Sequence, residues 1–132
     1  MEPKQLAEIA LEAGREAYSI HRRYLGQVDP SEWDEKGTAD FVTRVDLDAE
    51  AAIVDLIRDR CPGHEILAEE STELGDPASV RARFDGAEHL WVIDPLDGTT
   101  NFLHGYPAYA ASVAVARQGR LVAGAVVDGY HG

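Results

Sequence analysis

Leu90-Trp91-Val92-Ile93-Asp94-Pro95-Leu96-Asp97-Gly98-Thr99-Thr100-Asn101-Phe102-Leu103-His104-Gly105-Tyr106 is the stretch that decides how this chain folds. Leu90–Ile93 is a short, unbroken apolar run rich in β-formers, which suits a buried strand. Asp94 to Gly98 then reads as a turn. Pro95 has no amide hydrogen to give a ladder, and Gly98 tolerates backbone angles closed to other residues. Thr99, Thr100 and Asn101 favour the start of a helix. The expected local structure is strand, tight turn and helix N-terminus, with two carboxylates in the turn.

Asp94 and Asp97 can converge on one hard cation, because the expected turn folds them toward the same side. The amides of Gly98 and Thr99 can point at an anion, aided by the helix dipole. A cation and a phosphate held side by side is the arrangement that phosphate-ester hydrolysis uses. Two other motifs fail on spacing. Counting from Asp94, an EF-hand loop would need a glutamate at its twelfth position, where this chain has Gly105. The aspartyl-phosphate enzymes of the haloacid dehalogenase type have one residue between their carboxylates, whereas Pro95 and Leu96 make two here. A covalent phospho-aspartate is therefore not expected.

Asp94-Pro95-Leu96-Asp97-Gly98-Thr99-Thr100-Asn101-Phe102 resembles the signature of the inositol monophosphatase family, magnesium-dependent phosphatases. Two upstream stretches resemble the family in the same order: Asp40-Phe41-Val42-Thr43-Arg44-Val45-Asp46 and Glu65-Ile66-Leu67-Ala68-Glu69-Glu70-Ser71. The resemblance implies an α+β fold, two helices packed on a mainly antiparallel sheet, the N-terminal part of the layered sugar-phosphatase fold. It implies metal ligands at Glu69, Asp94, Asp97 and the Leu96 carbonyl, with Glu70 close by. It also implies that Asp46 and Thr99 position the attacking water, and that Gly98 and Thr99 hold phosphate oxygens. Lys36 roughly fills the place of a family lysine on a flexible loop near the metals, one residue closer to the Asp40–Asp46 segment. An all-oxygen donor set suits Mg²⁺ or Mn²⁺ rather than zinc or copper. The five histidines, His21, His64, His89, His104 and His131, are scattered and form no metal-binding pair in sequence.

The chain's 132 residues suffice for one domain, and 45% apolar with 27% charged content is ordinary for a globular protein. A net charge of −12 argues against a nucleic-acid backbone or an anionic membrane as partner. It says less about a phosphate substrate, because a bound metal inverts the local field. The single cysteine, Cys61, cannot form an intrachain disulfide, and no signal peptide or membrane-length apolar run is evident, which reads as cytoplasmic.

Along the chain, Leu6, Ala10, Ala13, Ala17, Ile20 and Tyr24 line one face of a helix from Pro3 to about Tyr24, read as core. Gly26–Thr38 reads as a loop and Leu47–Arg60 as a helix stopped by Pro62-Gly63, with Asp46 a candidate N-cap. Asp40 and Thr43 read as local hydrogen-bonding residues that fix a turn. Ile66–Ala68 reads as a short strand, and 71–89 as a loop with one helical turn around Ser79–Phe84. Ala110–Ala116 and Leu121–Val127 read as a hairpin across Arg117-Gln118-Gly119-Arg120, in a sheet covered on both faces.

The resemblance covers only the N-terminal portion of the family's longer chains; their further metal-binding aspartate, in a Trp-Asp-x-Ala-Ala-Gly-like segment, has no counterpart after Trp33 or Trp91. The expectation is one N-terminal domain over residues 1–132 with the C-terminal domain absent. Two functions of different kind follow. One is a phosphatase, or its N-terminal domain, acting on a small phosphomonoester, by resemblance as a homodimer. The other is a non-catalytic remnant that binds metal weakly or acts by association with another chain. Inositol phosphates, histidinol phosphate, sugar bisphosphates and 3′-phosphonucleotides are all substrates of similar proteins, and the sequence does not choose among them.

Overall fold

Helix α1 spans Pro3–Tyr24, and its buried line is Leu6, Ala10, Ala13 and Ala17, extended by His21. Pro3 sits in its first turn, where a missing amide hydrogen costs nothing. The remaining elements are α2 (Glu35–Arg60), β1 (Glu65–Ala68), α3 (Pro77–Gly86), β2 (His89–Asp97), α4 (Thr99–Leu103), β3 (Ala110–Arg117) and β4 (Arg120–Asp128). This computed structural model describes residues 1–27, 35–68 and 76–132, with the backbone alone at 35 and 36.

The strands form one four-stranded sheet in the order β1-β2-β3-β4, with β1 parallel to β2 and the other pairs antiparallel. The expected α+β architecture, helices on a mainly antiparallel sheet, is the one observed. Trp91 and Ile93 of β2, with Ala111, Val113 and Val115 of β3, face α1 and α2 in one continuous core. On the opposite face Leu67 and Leu90 pack under Val80 and Phe84 of α3.

Several expectations are corrected. Helix α2 begins twelve residues before Leu47, because Phe41 and Val45 continue the line of Ala49, Ile53 and Ile57 at steps of four. Asp40 and Thr43 therefore lie within a helix rather than a turn. Asp46 is a helix-interior residue and not an N-cap, and the backbone of Lys36 belongs to the first turn of α2 rather than a loop. Helix α3 runs ten residues instead of one turn. Asp76 caps it by accepting from the Ser79 amide at 2.8 Å, with Pro77 directly after. The sheet is also less covered than expected among the described residues: Val92 is 36% exposed, and Leu121 and Val126 on the edge strand β4 are 69% and 65% exposed. The expected loop at 28–34 lies outside the described residues.

The β3–β4 hairpin turns on Gln118 and Gly119, both at positive φ (50° and 79°), the turn geometry that matches the twist of paired strands. Beside its start, the rings of His64 and His89 stack with centroids 4.0 Å apart. The Trp91 indole N–H donates to His64 Nδ1 at 2.9 Å, and Arg117 Nε donates to His89 Nε2 at 3.2 Å. Both accepting nitrogens must be unprotonated, so this packing holds both rings neutral. Burial, then the neighbouring His89, lowers the pKa of His64; burial, then Arg117, lowers that of His89. Burial lowers His21 as well.

The folded chain thus binds fewer protons than the unfolded one just below the ordinary histidine value of about 6.5, so stability rises with pH through that window. The melting temperature should be lower at pH 5.5 than at pH 7.5, and a variant with His64 and His89 both replaced by Gln should lose much of that difference. Equal melting temperatures of the unchanged chain at the two pH values would contradict the neutral-pair assignment.

Candidate active site

In a regular strand, residues three apart point to opposite faces. Asp94 and Asp97 escape that rule. Asp94 pairs with Ser112 and Asp97 with Ala110, so β2 takes three residue steps where β3 takes two. The extra residue is a β-bulge, and it reverses the alternation. Asp97 returns to the face of Ala110, which is also the face of Ser112 and therefore of Asp94. Both carboxylates lie away from the Trp91–Ile93 core. Asp94 is half-buried and Asp97 exposed.

The sequence reading ends the strand at Ile93, whereas β2 continues to Asp97. Pro95 is tolerated because it falls in the bulge, where the ladder requires no amide from it. Pro95 and Leu96 are both buried there. Each polar group of the peptide between them is taken by a side chain: the Pro95 carbonyl meets His21 Nε2 at 2.7 Å, and the Leu96 amide donates to Asp94 Oδ1 at 3.3 Å. His21 is a residue the sequence reading missed. Its signal was a histidine four places after Ala17 on an otherwise apolar helical line.

Gly98 follows at φ 82°, ψ 39°, in the left-handed region. A Cβ there would stand 2.6 Å from the Ala108 carbonyl oxygen and 3.1 Å from Tyr109 Cα, so only glycine fits. The left-handed turn swings the chain from strand into α4, whose first residue is the half-buried Thr99. Phe102 anchors this single turn. Its amide donates to the Gly98 carbonyl at 3.0 Å, and its ring packs edge-on against His21 and Tyr109 at centroid distances of 6.0 and 5.2 Å. Val45 of α2 joins Leu96, Phe102 and Tyr109 in the same cluster. Asp46, the residue after Val45, is 7% exposed. An open cavity of about 290 Å³ lies beside the turn, bounded by Asp97, Gly98, Ala108 and Asp128 among others.

Glu69 and Glu70 lie outside the described residues, as does the Lys36 side chain. Strand β1 ends at Ala68, paired with Ile93, the residue before Asp94. Among the described residues no three Asp, Glu, His or Cys side chains come together as a metal-binding group. The side chains that the bulge sets on one face, Asp94 and Asp97, are oxygen donors, chemistry that fits a hard divalent cation and not a soft one.

Helices on this mixed sheet, with the Asp94–Phe102 segment at the strand-to-helix turn, define a class, and the chain belongs to it: the model of the inositol monophosphatase family matches residues 2–132. The chain is 42% identical over 123 residues to a Pseudomonas aeruginosa protein named Nus factor SuhB, covering 93% of this chain and 43% of that protein. It is 43% identical over 124 residues to the Escherichia coli K12 protein of the same name, again covering 93% and 43%. Among solved structures, an inositol monophosphatase from Anabaena superposes with a TM-score of 0.71 at 35% identity, covering 96% of this chain and 41% of that one. Mycobacterium tuberculosis SuhB gives a TM-score of 0.68 at 33% identity, covering 96% and 41%. The chain spans less than half the length of each of these relatives.

Replacing Gly98 with Ala should destabilise the chain by about 2 kcal/mol or more, from left-handed strain and the clash with the Ala108 carbonyl together. Urea unfolding followed by circular dichroism measures it; a loss under about 0.5 kcal/mol, the ordinary range for an unconstrained surface position, would contradict the assigned turn.

Proposed function

We propose that this chain is the N-terminal part of a Mg²⁺-dependent phosphatase that hydrolyses a small phosphomonoester such as an inositol monophosphate. The observation that carries the reading is the β-bulge that sets Asp94 and Asp97 on one face immediately before the Gly98 turn. Membership of the inositol monophosphatase family supports a phosphatase.

In this reading Asp94, Asp97 and the Leu96 carbonyl, together with Glu69, hold the metal, and Glu70 and Lys36 lie close to it. The β1–β2 register, ending at Ala68 beside Ile93, supports including Glu69. Bound Mg²⁺, or Mn²⁺ in its place, lowers the pKa of a water and offsets phosphate charge. The chain's own residues do the rest. The Gly98 and Thr99 amides grip phosphate oxygens and strengthen as charge builds on them. Asp46 accepts a hydrogen bond from Thr99, and that pair orients the attacking water in line with the ester bond. The water's oxygen bonds to phosphorus as the ester P–O bond breaks, and the alkoxide leaves to take up a proton. No side chain becomes phosphorylated.

A cytoplasmic location belongs to the same reading; no helix among the described residues is long and apolar enough to cross a membrane. A homodimer is part of the same reading, on the family resemblance. A second reading is association with another chain without hydrolysis. The name Nus factor borne by relatives in Pseudomonas aeruginosa and Escherichia coli favours it. That name also leaves the exclusion of nucleic acid, drawn from the charge of −12, without support.

Phosphate release from inositol 1-phosphate with Mg²⁺ separates the readings, assayed with this chain alone and with it fused to the remaining portion of a relative. Hydrolysis by either form, abolished by Asp94→Asn, is expected; activity in the fusion alone would mean that the described part contributes the site and the remainder completes it. Full activity in the Asp94→Asn variant would remove Asp94 from the metal ligands, and inactivity of both forms would favour association without hydrolysis.

A further inference from the structure

His21 is fully buried in α1, far in sequence from the Asp94–Asp97 bulge, and yet it is bonded to the bulge's centre. Its Nε2 lies 2.7 Å from the Pro95 carbonyl oxygen. A carbonyl only accepts, so Nε2 carries the proton. Nδ1 is buried and makes no hydrogen bond among the described residues, which suits the bare nitrogen of a neutral ring and would not suit a second N–H. The ring is fixed from its sides by Phe102 and Tyr109, with centroids at 6.0 and 5.5 Å. His21 therefore cannot swing away without disturbing the same aromatic cluster that anchors the turn.

We propose that His21 is a positioning residue for the metal site: by holding the Pro95 carbonyl from inside the core, it fixes the plane of the Pro95–Leu96 peptide and so the aim of Asp94, the Leu96 carbonyl and Asp97. The inference rests on the metal-site reading given above. A peptide in a bulge lacks the ladder partners that hold its neighbours in plane. Here the plane is held at both ends instead, by His21 on the carbonyl and by Asp94 Oδ1 on the Leu96 amide. If the His21 bond is lost, the buried carbonyl is left without that partner and the peptide rotates to find another. Rotation draws the Leu96 amide from Asp94 and turns the Leu96 carbonyl with it. Groups that only orient metal ligands typically change metal affinity tenfold or more when removed.

The test compares the full chain with three variants. In His21→Gln the amide nitrogen can occupy the place of Nε2 and keep the donor. In His21→Met and His21→Asn no donor reaches the Pro95 carbonyl. Mn²⁺ binding is read from the loss of the free-ion signal in electron paramagnetic resonance, and folding from far-ultraviolet circular dichroism. The expected result is Mn²⁺ affinity about tenfold or more weaker in His21→Met and His21→Asn, restored to within about threefold in His21→Gln. Should His21→Met fail to fold, His21→Asn against His21→Gln carries the comparison. If those two fold and bind Mn²⁺ as tightly as the unchanged chain, the positioning role is overturned while the metal site stands. If the unchanged chain, and the same chain fused to the remainder of a relative, both fail to bind Mn²⁺, the metal-site reading itself is overturned and this inference falls with it.

Discussion

The alternation of a β-strand is the constraint on which this site depends. Two carboxylates three residues apart in an unbroken strand would face opposite layers, one toward solvent and one into the core. A buried, unpaired aspartate costs several kcal/mol and would not persist against Trp91 and Ile93. The single extra residue between Asp94 and Asp97 removes that conflict and sets both carboxylates on one face of the sheet, the arrangement on which the proposed cation site rests. The same bulge also tolerates a proline in a central strand.

The irregularity is held by the core rather than by the sheet. Pro95 and Leu96 are buried, His21 reaches the bulge from α1, and Val45 of α2 packs with Leu96 and Phe102. Both long helices thereby contribute a residue to the placement of one loop. The left-handed Gly98 then turns the chain in the space beneath the Ala108 carbonyl, and Phe102 pins the far side of the turn. The turn is thus held from helix, strand and core at once.

Much of this was legible in the sequence because it rests on local pattern. The apolar line of α1, the hairpin at Gln118-Gly119 and the turn at Gly98 into a helix starting at Thr99 are each short-range signals, and each appears where the pattern puts it. What was not legible depends on contacts distant in sequence. The bulge cannot be read from residues 94–97, since it is defined by register against residues 110–112 of another strand. The early start of α2 was hidden because Gly37, Thr38, Asp40 and Thr43 resemble loop residues, while the apolar spacing of Phe41 and Val45 that overrides them is sparse. The pairing of His64 with His89 and the reach of His21 to Pro95 join residues 25 and 74 positions apart, beyond any window of local reasoning.

The central claim is that Asp94 and Asp97 share one cation. Anomalous X-ray diffraction from crystals of this chain grown with Mn²⁺ tests it most directly. The account predicts one strong manganese peak touching a carboxylate oxygen of each residue, at roughly the 2.1 Å expected for a small hard cation. A peak that touches neither, or an Asp97 side chain on the opposite face of β2 from Asp94, would contradict it.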